Sequence, residues 1–249
     1  MNSERVRGNM KGKFLLGSGQ PVIVGNIYAD KSSIVLDWLL RIGIDRKGVS
    51  LREVAKGGNV SVGLVQRVFR MLVLNGLLQT EGTRTSKRFF LTKPHLLLKS
   101  WIDHYSILKK CKMWTYQSSL GEKTQIMKTL KASALRSGVT LALHSAAEAY
   151  GCKNTNLNTL ELYVVDPAIR TELEHTLELE RQERGYEVLI IEPYYKTLLS
   201  HRRETREDIT IAPPILTFLD LYHFPLRGQE QAEFMAERLP ELQRIYRKG

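Results

Sequence analysis

Apolar positions recur at helical spacing through much of the first hundred residues. In SSIVLDWLLRIG (32–43), Val35, Trp38, Leu39 and Ile42 fall at i, i+3, i+4 and i+7. That is the buried face of an amphipathic helix, with serine as its N-cap. VSLREVAKGGN (49–59) carries Ser50 and Glu53, the S-x-x-E pair in which each side chain satisfies a free backbone N–H at a helix start. Its Gly57-Gly58 pair predicts an end about two turns later. SVGLVQRVFRMLVLNGLL (61–78) then lines up Val65, Val68, Phe69 and Leu72 on one side, with Asn75-Gly76 as the stop.

Two β-prone runs follow, LLQTE (77–81) and KRFFLT (87–92), flanking GTRTS. A glycine-containing loop between such runs predicts a hairpin. Helix, short helix, turn, helix and hairpin is the order of a winged helix-turn-helix. KPHLLLKSWIDHYS (93–106) reads as a helix leading out of that module. Ahead of it, Arg5, Arg7, Lys11 and Lys13 form a basic arm, and KFLL and PVIVGNIY read as a short hairpin.

Beyond residue 100 the pattern alternates. A helix is expected at 122–136, a strand at 139–143, a short helix in SAAEAYG and a strand at 159–165. DPAIRTELEHTLELERQERG (166–185) reads as one helix, with Asp166 as N-cap and Pro167 at its first position, where the missing N–H costs nothing. YEVLIIEP (186–193) is another strand. HRRETREDI (201–209) reads as a solvated loop or strand approach, and the end as helical. The expected fold class is α+β, with an N-terminal winged helix-turn-helix over residues 1–95 and a mixed α/β domain over 96–249.

Charge sharpens this division. Residues 1–100 carry 17 Lys+Arg against 6 Asp+Glu, while residues 101–249 carry 20 of each. The whole net charge of +11 therefore belongs to the first hundred residues. Such asymmetry predicts a polyanion-binding N-terminal half. With Val65, Val68, Phe69 and Leu72 inward, Ser61, Gly63, Gln66, Arg67 and Arg70 lie on or beside the outer face. Gln can bridge adenine and Arg guanine in the major groove, while Ser61 and nearby N–H groups suit a phosphate. Arg84, Lys87 and Arg88 would place positive charge on the hairpin. The expected partner is double-stranded DNA.

Other classes are disfavoured. No apolar run approaches the length of a membrane helix. The first residues lack a signal-peptide core, and Cys111 and Cys152 form no C-x-x-C, so a cytoplasmic, reducing location is expected. The histidines show no H-E-x-x-H or i, i+4 pairing, and phosphate-loop and nucleophile-elbow motifs are absent. Glu172, Glu174, Glu178, Glu180 and Glu183 read as a solvated helix face. No enzyme activity, metal or cofactor is expected.

Two resemblances bear on the second half. LALHSAAEAYGCKNTNLNTLELYVV (141–165) looks like a polymerase-β-type nucleotidyltransferase core, in which a Gly-containing turn and a strand with two carboxylates hold magnesium. Here the turn reads His144-Ser145, and the strand offers Glu161 but Tyr163 in the second place. Paired metal ions then lack an anchor. Over about residues 30–245, the chain resembles the AbiEi antitoxins of type IV toxin–antitoxin systems. The marks are LTKPHLLLKSWIDHY, GVTLALHSAAEAYG and, most specifically, PPILTFLDLYHFPLRGQEQAEFMAERL. The last contains Asp220-Leu221, Arg227-Gly228, Glu230, Ala232 and Glu233.

That resemblance implies a winged helix that binds operator DNA and represses its own operon, and a C-terminal domain needed for antitoxicity. It also implies a nucleotidyltransferase-like toxin, opposed without a stable complex. The oligomeric state stays open, a dimer on DNA being one compatible form. A degenerate nucleotidyltransferase-like protein targeted to nucleic acid, or a mobile-element replication or transfer regulator, are the alternatives. For Asp220 and Arg227, a structural role at a loop–helix junction is expected, with Asp220 accepting backbone N–H groups or Arg227.

Overall fold

The computed structural model describes residues 26–83, 86–206 and 208–247. It is a mixed α/β structure. The basic arm and the first β-like run lie outside the described residues, as does most of PVIVGNIY; its residues 26–28 form no strand.

Three helices lead: α1 (Asp30–Arg41), α2 (Leu51–Gly58) and α3 (Val62–Leu74). α1 starts earlier than its serines suggest. Ala29 is its N-cap, and Ser32 and Ser33 are buried within it, the Ser33 hydroxyl donating to the Asp30 carbonyl at 2.5 Å. Both arms of the capping box form at α2, with Glu53 N donating to Ser50 Oγ at 3.2 Å and Ser50 N to Glu53 Oε2 at 2.7 Å. As the Gly57-Gly58 pair predicts, α2 ends about two turns after its cap, at Gly58, and Asn59, at φ 49°, makes the left-handed turn. A Cβ at Gly57 would overlap Nε1 of Trp38, so glycine is there to let α2 lie close against α1.

α3 ends as Asn75-Gly76 predicts. Gly76 N donates to Val73 O and Leu77 N to Leu72 O, a Schellman closure with Gly76 left-handed at φ 66°. The hairpin forms from β1 (Leu78–Glu81) and β2 (Arg88–Leu91), antiparallel with Leu78 opposite Leu91. Val49 bridges to Phe89 by two backbone hydrogen bonds, which pins the hairpin to the segment entering α2. Phe69 meets Phe89 edge to face at 4.8 Å, joining α3 to the hairpin.

α4 (Pro94–His104) and α5 (Ile107–Lys110) lead to a seven-stranded mixed sheet of order β6-β3-β7-β5-β4-β9-β8. Its members are β3 (Lys112–Ser118), β4 (Val139–Leu141), β5 (Leu160–Val164), β6 (Leu179–Arg181), β7 (Val188–Glu192), β8 (Glu204–Arg206) and β9 (Ile209–Ile211). Among the described residues, only β5–β7 and β4–β9 pair in parallel. The helices between and after them are α6 (Lys123–Ala132), α7 (Leu143–Ala149), α8 (Pro167–Thr176), α9 (Lys196–His201), α10 (Pro214–Tyr222), α11 (Gly228–Ala236) and α12 (Pro240–Gln243).

Two expectations are revised here. The single helix over 166–185 is α8 alone. Its cap is as read, Asp166 accepting from Ala168 N, but Glu178 turns left-handed at φ 49° and the chain enters edge strand β6. The glutamates therefore do not share one helix face: Glu172 and Glu174 lie on α8, Glu180 on β6 and Glu183 beyond it. Of the two readings of HRRETREDI, loop or strand approach, the strand holds: it contributes to the β8–β9 pair at the sheet edge. The expected helix at 122–136 stops at Ala132 and continues as a short 3-10 turn.

The helical unit and the sheet are bonded together. Arg202, after α9, donates to Asp37 of α1 at 3.0 Å and to Glu241 of α12 at 2.8 and 3.2 Å. Trp101 donates to Tyr195, which donates to the Tyr28 carbonyl, and Thr197 bonds Asp30 through backbone and hydroxyl. Burial pushes the Asp37 carboxyl up, against the pull of Arg202 and Arg41.

Candidate nucleic-acid interface

α3 has one fully apolar side and one polar side. Val65, Val68, Phe69 and Leu72 are at most 2% exposed, whereas Ser61, Gly63, Gln66, Arg67 and Arg70 are exposed. The first group fixes the helix on α1, α2 and the hairpin, so the second must face away from that core. Ser61 is the N-cap, its Oγ accepting from Leu64 N at 3.2 Å, which leaves its hydroxyl hydrogen for an outside acceptor. At Gly63 an added Cβ would meet nothing within 4 Å.

Two grooves flank this face. Gln66 and Arg70 line one with Lys87 and Phe89 of the hairpin side. Arg67 lines the other with Lys31, at the start of α1. Lys87 is exposed, its ammonium 5.4 Å from the centre of the Phe89 ring. Arg88 is already engaged, donating to Glu53 Oε2 at 2.6 Å, and so braces the hairpin against the capped end of α2. Arg84 lies outside the described residues. Sequence reasoning passed over Arg46, Lys47, Arg52 and Lys56, exposed on α2 or just before it.

In the second half, the residues behind the nucleotidyltransferase likeness do a structural job. Glu161 is fully buried, accepting from Ser145 N at 2.9 Å and Ser145 Oγ at 2.6 Å, and so ties α7 to β5. Thr159 and Tyr186 also donate to it. Tyr163 donates to Asp220, and Tyr105 donates to the same carboxyl at 2.7 Å. Asp220 thus serves a structural role, but its partners are these tyrosines; Arg227 pairs with Glu230 at 2.5 and 2.8 Å instead. Burial raises the Asp220 carboxyl to about 7, the two tyrosine hydrogen bonds pulling the other way. Among the described residues, no group of three or more His, Cys, Asp or Glu is arranged to hold a metal ion, and no helix is long and apolar enough to cross a membrane.

A family model described as "Transcriptional regulator, AbiEi antitoxin, Type IV TA system" matches residues 90–240. No curated protein and no solved structure matches the chain. The matched stretch contains the whole mixed sheet and ends before the last residues; α1, α2, α3 and β1 precede it.

Proposed function

Because the chain belongs to the AbiEi antitoxin family of type IV toxin–antitoxin transcriptional regulators, we propose that it binds operator DNA upstream of its own operon and represses it. On this reading residues 1–95 are a winged helix-turn-helix, in which α2, the three residues Asn59–Ser61 and α3 form the reading motif and β1–β2 the wing. The observation that carries it is the outer face of α3, where Gln66, Arg67 and Arg70 are exposed opposite a completely buried apolar stripe.

Each residue then has a role set by its chemistry. Gln66, Arg67 and Arg70 reach base edges, where a bidentate pair discriminates by ~1–3 kcal/mol. Gly63 lets the backbone of the first turn approach the duplex, and Ser61 meets a phosphate. Lys87 adds backbone charge from the wing, as does Arg84. Arg88 acts mainly by holding the wing. Residues 96–249 serve antitoxicity toward a nucleotidyltransferase-like toxin without a stable complex, in the cytoplasm. Glu161 turned inward onto Ser145 supports a regulator rather than a metal-dependent transferase.

The test is affinity for the chain's own upstream DNA against a scrambled duplex at two salt concentrations. A preference for the upstream DNA, and an affinity falling roughly a hundredfold between about 50 and 200 mM salt for some four phosphate contacts, are the expected results. Equal binding of both duplexes would overturn operator reading.

A further inference from the structure

A cavity of about 650 Å³ lies between α6, α7 and the ends of β4, β5 and β9, far in the sequence from α3 and the hairpin. Its volume falls within the ~300–1,000 Å³ of small-molecule sites and exceeds what an inorganic anion needs. Cationic and apolar side chains are interleaved in its lining, Lys123, Met127 and Lys131 falling at i, i+4 and i+8 on one face of α6. The cations are Lys123, Lys131, Lys153 and Arg206, with Glu148 as the lone lining carboxylate; Arg206 also donates to Glu204 at 3.3 Å and to the Ala149 carbonyl at 3.0 Å. Glu148 holds two of these cations, Lys123 Nζ at Oε2 and Lys153 Nζ at Oε1, each at 2.7 Å. One negative charge thus positions two ammonium groups and neutralises only one. The Lys123 side chain is 14% exposed, so its charge works in a partly dried setting where a second anion gains more than it would in water.

Met127, Leu141, Leu160 and Ile209 supply the apolar part of the lining, and Asn158 adds an amide that can both donate and accept. Cations, apolar side chains and an amide lining one cavity suit a ligand that joins an anionic chain to a heteroaromatic ring. We propose that this cavity binds a nucleoside polyphosphate, its phosphates paired with the lysine ammonium groups and its base against the apolar side chains.

Titration calorimetry on the full chain with ATP, GTP and inorganic tripolyphosphate tests this. At least one nucleotide should bind, and more tightly than tripolyphosphate. The double variant Lys153→Gln/Arg206→Gln alters side chains nearly half exposed, so its fold should survive, which circular dichroism verifies. It should bind that nucleotide roughly tenfold or more weakly, as the loss of charge-assisted hydrogen bonds implies. Arg67→Ala/Arg70→Ala should leave nucleotide binding unchanged, which separates this site from the DNA face. No nucleotide binding at about 1 mM, equal affinity for tripolyphosphate, or unchanged binding in the cavity variant would each overturn the proposal.

Discussion

A methyl group added to Gly57 would overlap Nε1 of Trp38, whereas one added to Gly63 would meet nothing within 4 Å. Glycine in a helix costs up to about 1 kcal/mol against alanine, and nothing inside the molecule requires it at Gly63. Gly63→Ala should therefore stabilise the fold by roughly half to one kcal/mol in urea unfolding, and weaken operator binding by adding bulk where the helix meets DNA. A variant that binds as tightly as the parent would remove Gly63 from the interface. Asp220 gives a pH prediction at the same scale. Its ordinary carboxyl value is 3.8 and burial raises it to about 7 in the folded state. The folded chain thus keeps a proton that the unfolded chain gives up, so the contribution to stability is complete below about pH 4 and is lost as pH rises toward 7. Asp220→Asn cannot titrate, and it keeps an acceptor for one of Tyr105 and Tyr163. The parent's stability minus the variant's should fall across pH 4–7; a flat difference would contradict the burial argument.

At the scale of elements, local chemistry was legible wherever a cap or stop sat within a few residues. Ser50 with Glu53, Asp166 with Pro167, and Asn75-Gly76 all act as their spacing predicts. Gly57-Gly58 likewise ends α2 two turns after its cap, and Gly57 additionally lets α2 cross close to Trp38 of α1. One signal misled because a tertiary contact reassigned it. The glutamate-rich 166–185 run has helical composition, but Glu178 turns left-handed so that β6 can pair with β3, Tyr116 facing Arg181. Strand β3 itself was overlooked, although KMWTYQS carries aromatic and β-branched residues that favour a pleated surface. Gly57→Ala should push α2 off α1 and cost on the order of 1–3 kcal/mol by overpacking. Combining it with Trp38→Phe, which removes the atom in the way, should recover part of that loss in thermal unfolding; no recovery would mean the crossing is not what the glycine serves.

Across the whole molecule, the charge asymmetry between the halves was readable by counting, and it agrees with an exposed basic face on α3. The contacts that bind the halves were not readable. Arg202 reaches Asp37 across 165 residues, and Tyr105 and Tyr163 reach Asp220 across 115 and 57, separations at which no spacing rule operates. The cationic cavity was hidden for the same reason, since Lys123, Glu148, Lys153 and Arg206 come from three helical or strand elements and a loop. The family match covers the sheet and not α1 to α3, so DNA reading rests on the geometry of the first helices themselves. Its most direct test is the ratio of affinities for the chain's own upstream DNA and a scrambled duplex, measured for the parent and for Arg67→Ala/Arg70→Ala. The ratio should collapse to about one in the variant, from the loss of ~1–3 kcal/mol per base contact, with helical content and unfolding midpoint unchanged. A variant that keeps the parent's ratio would contradict the account, leaving α3 as scaffold.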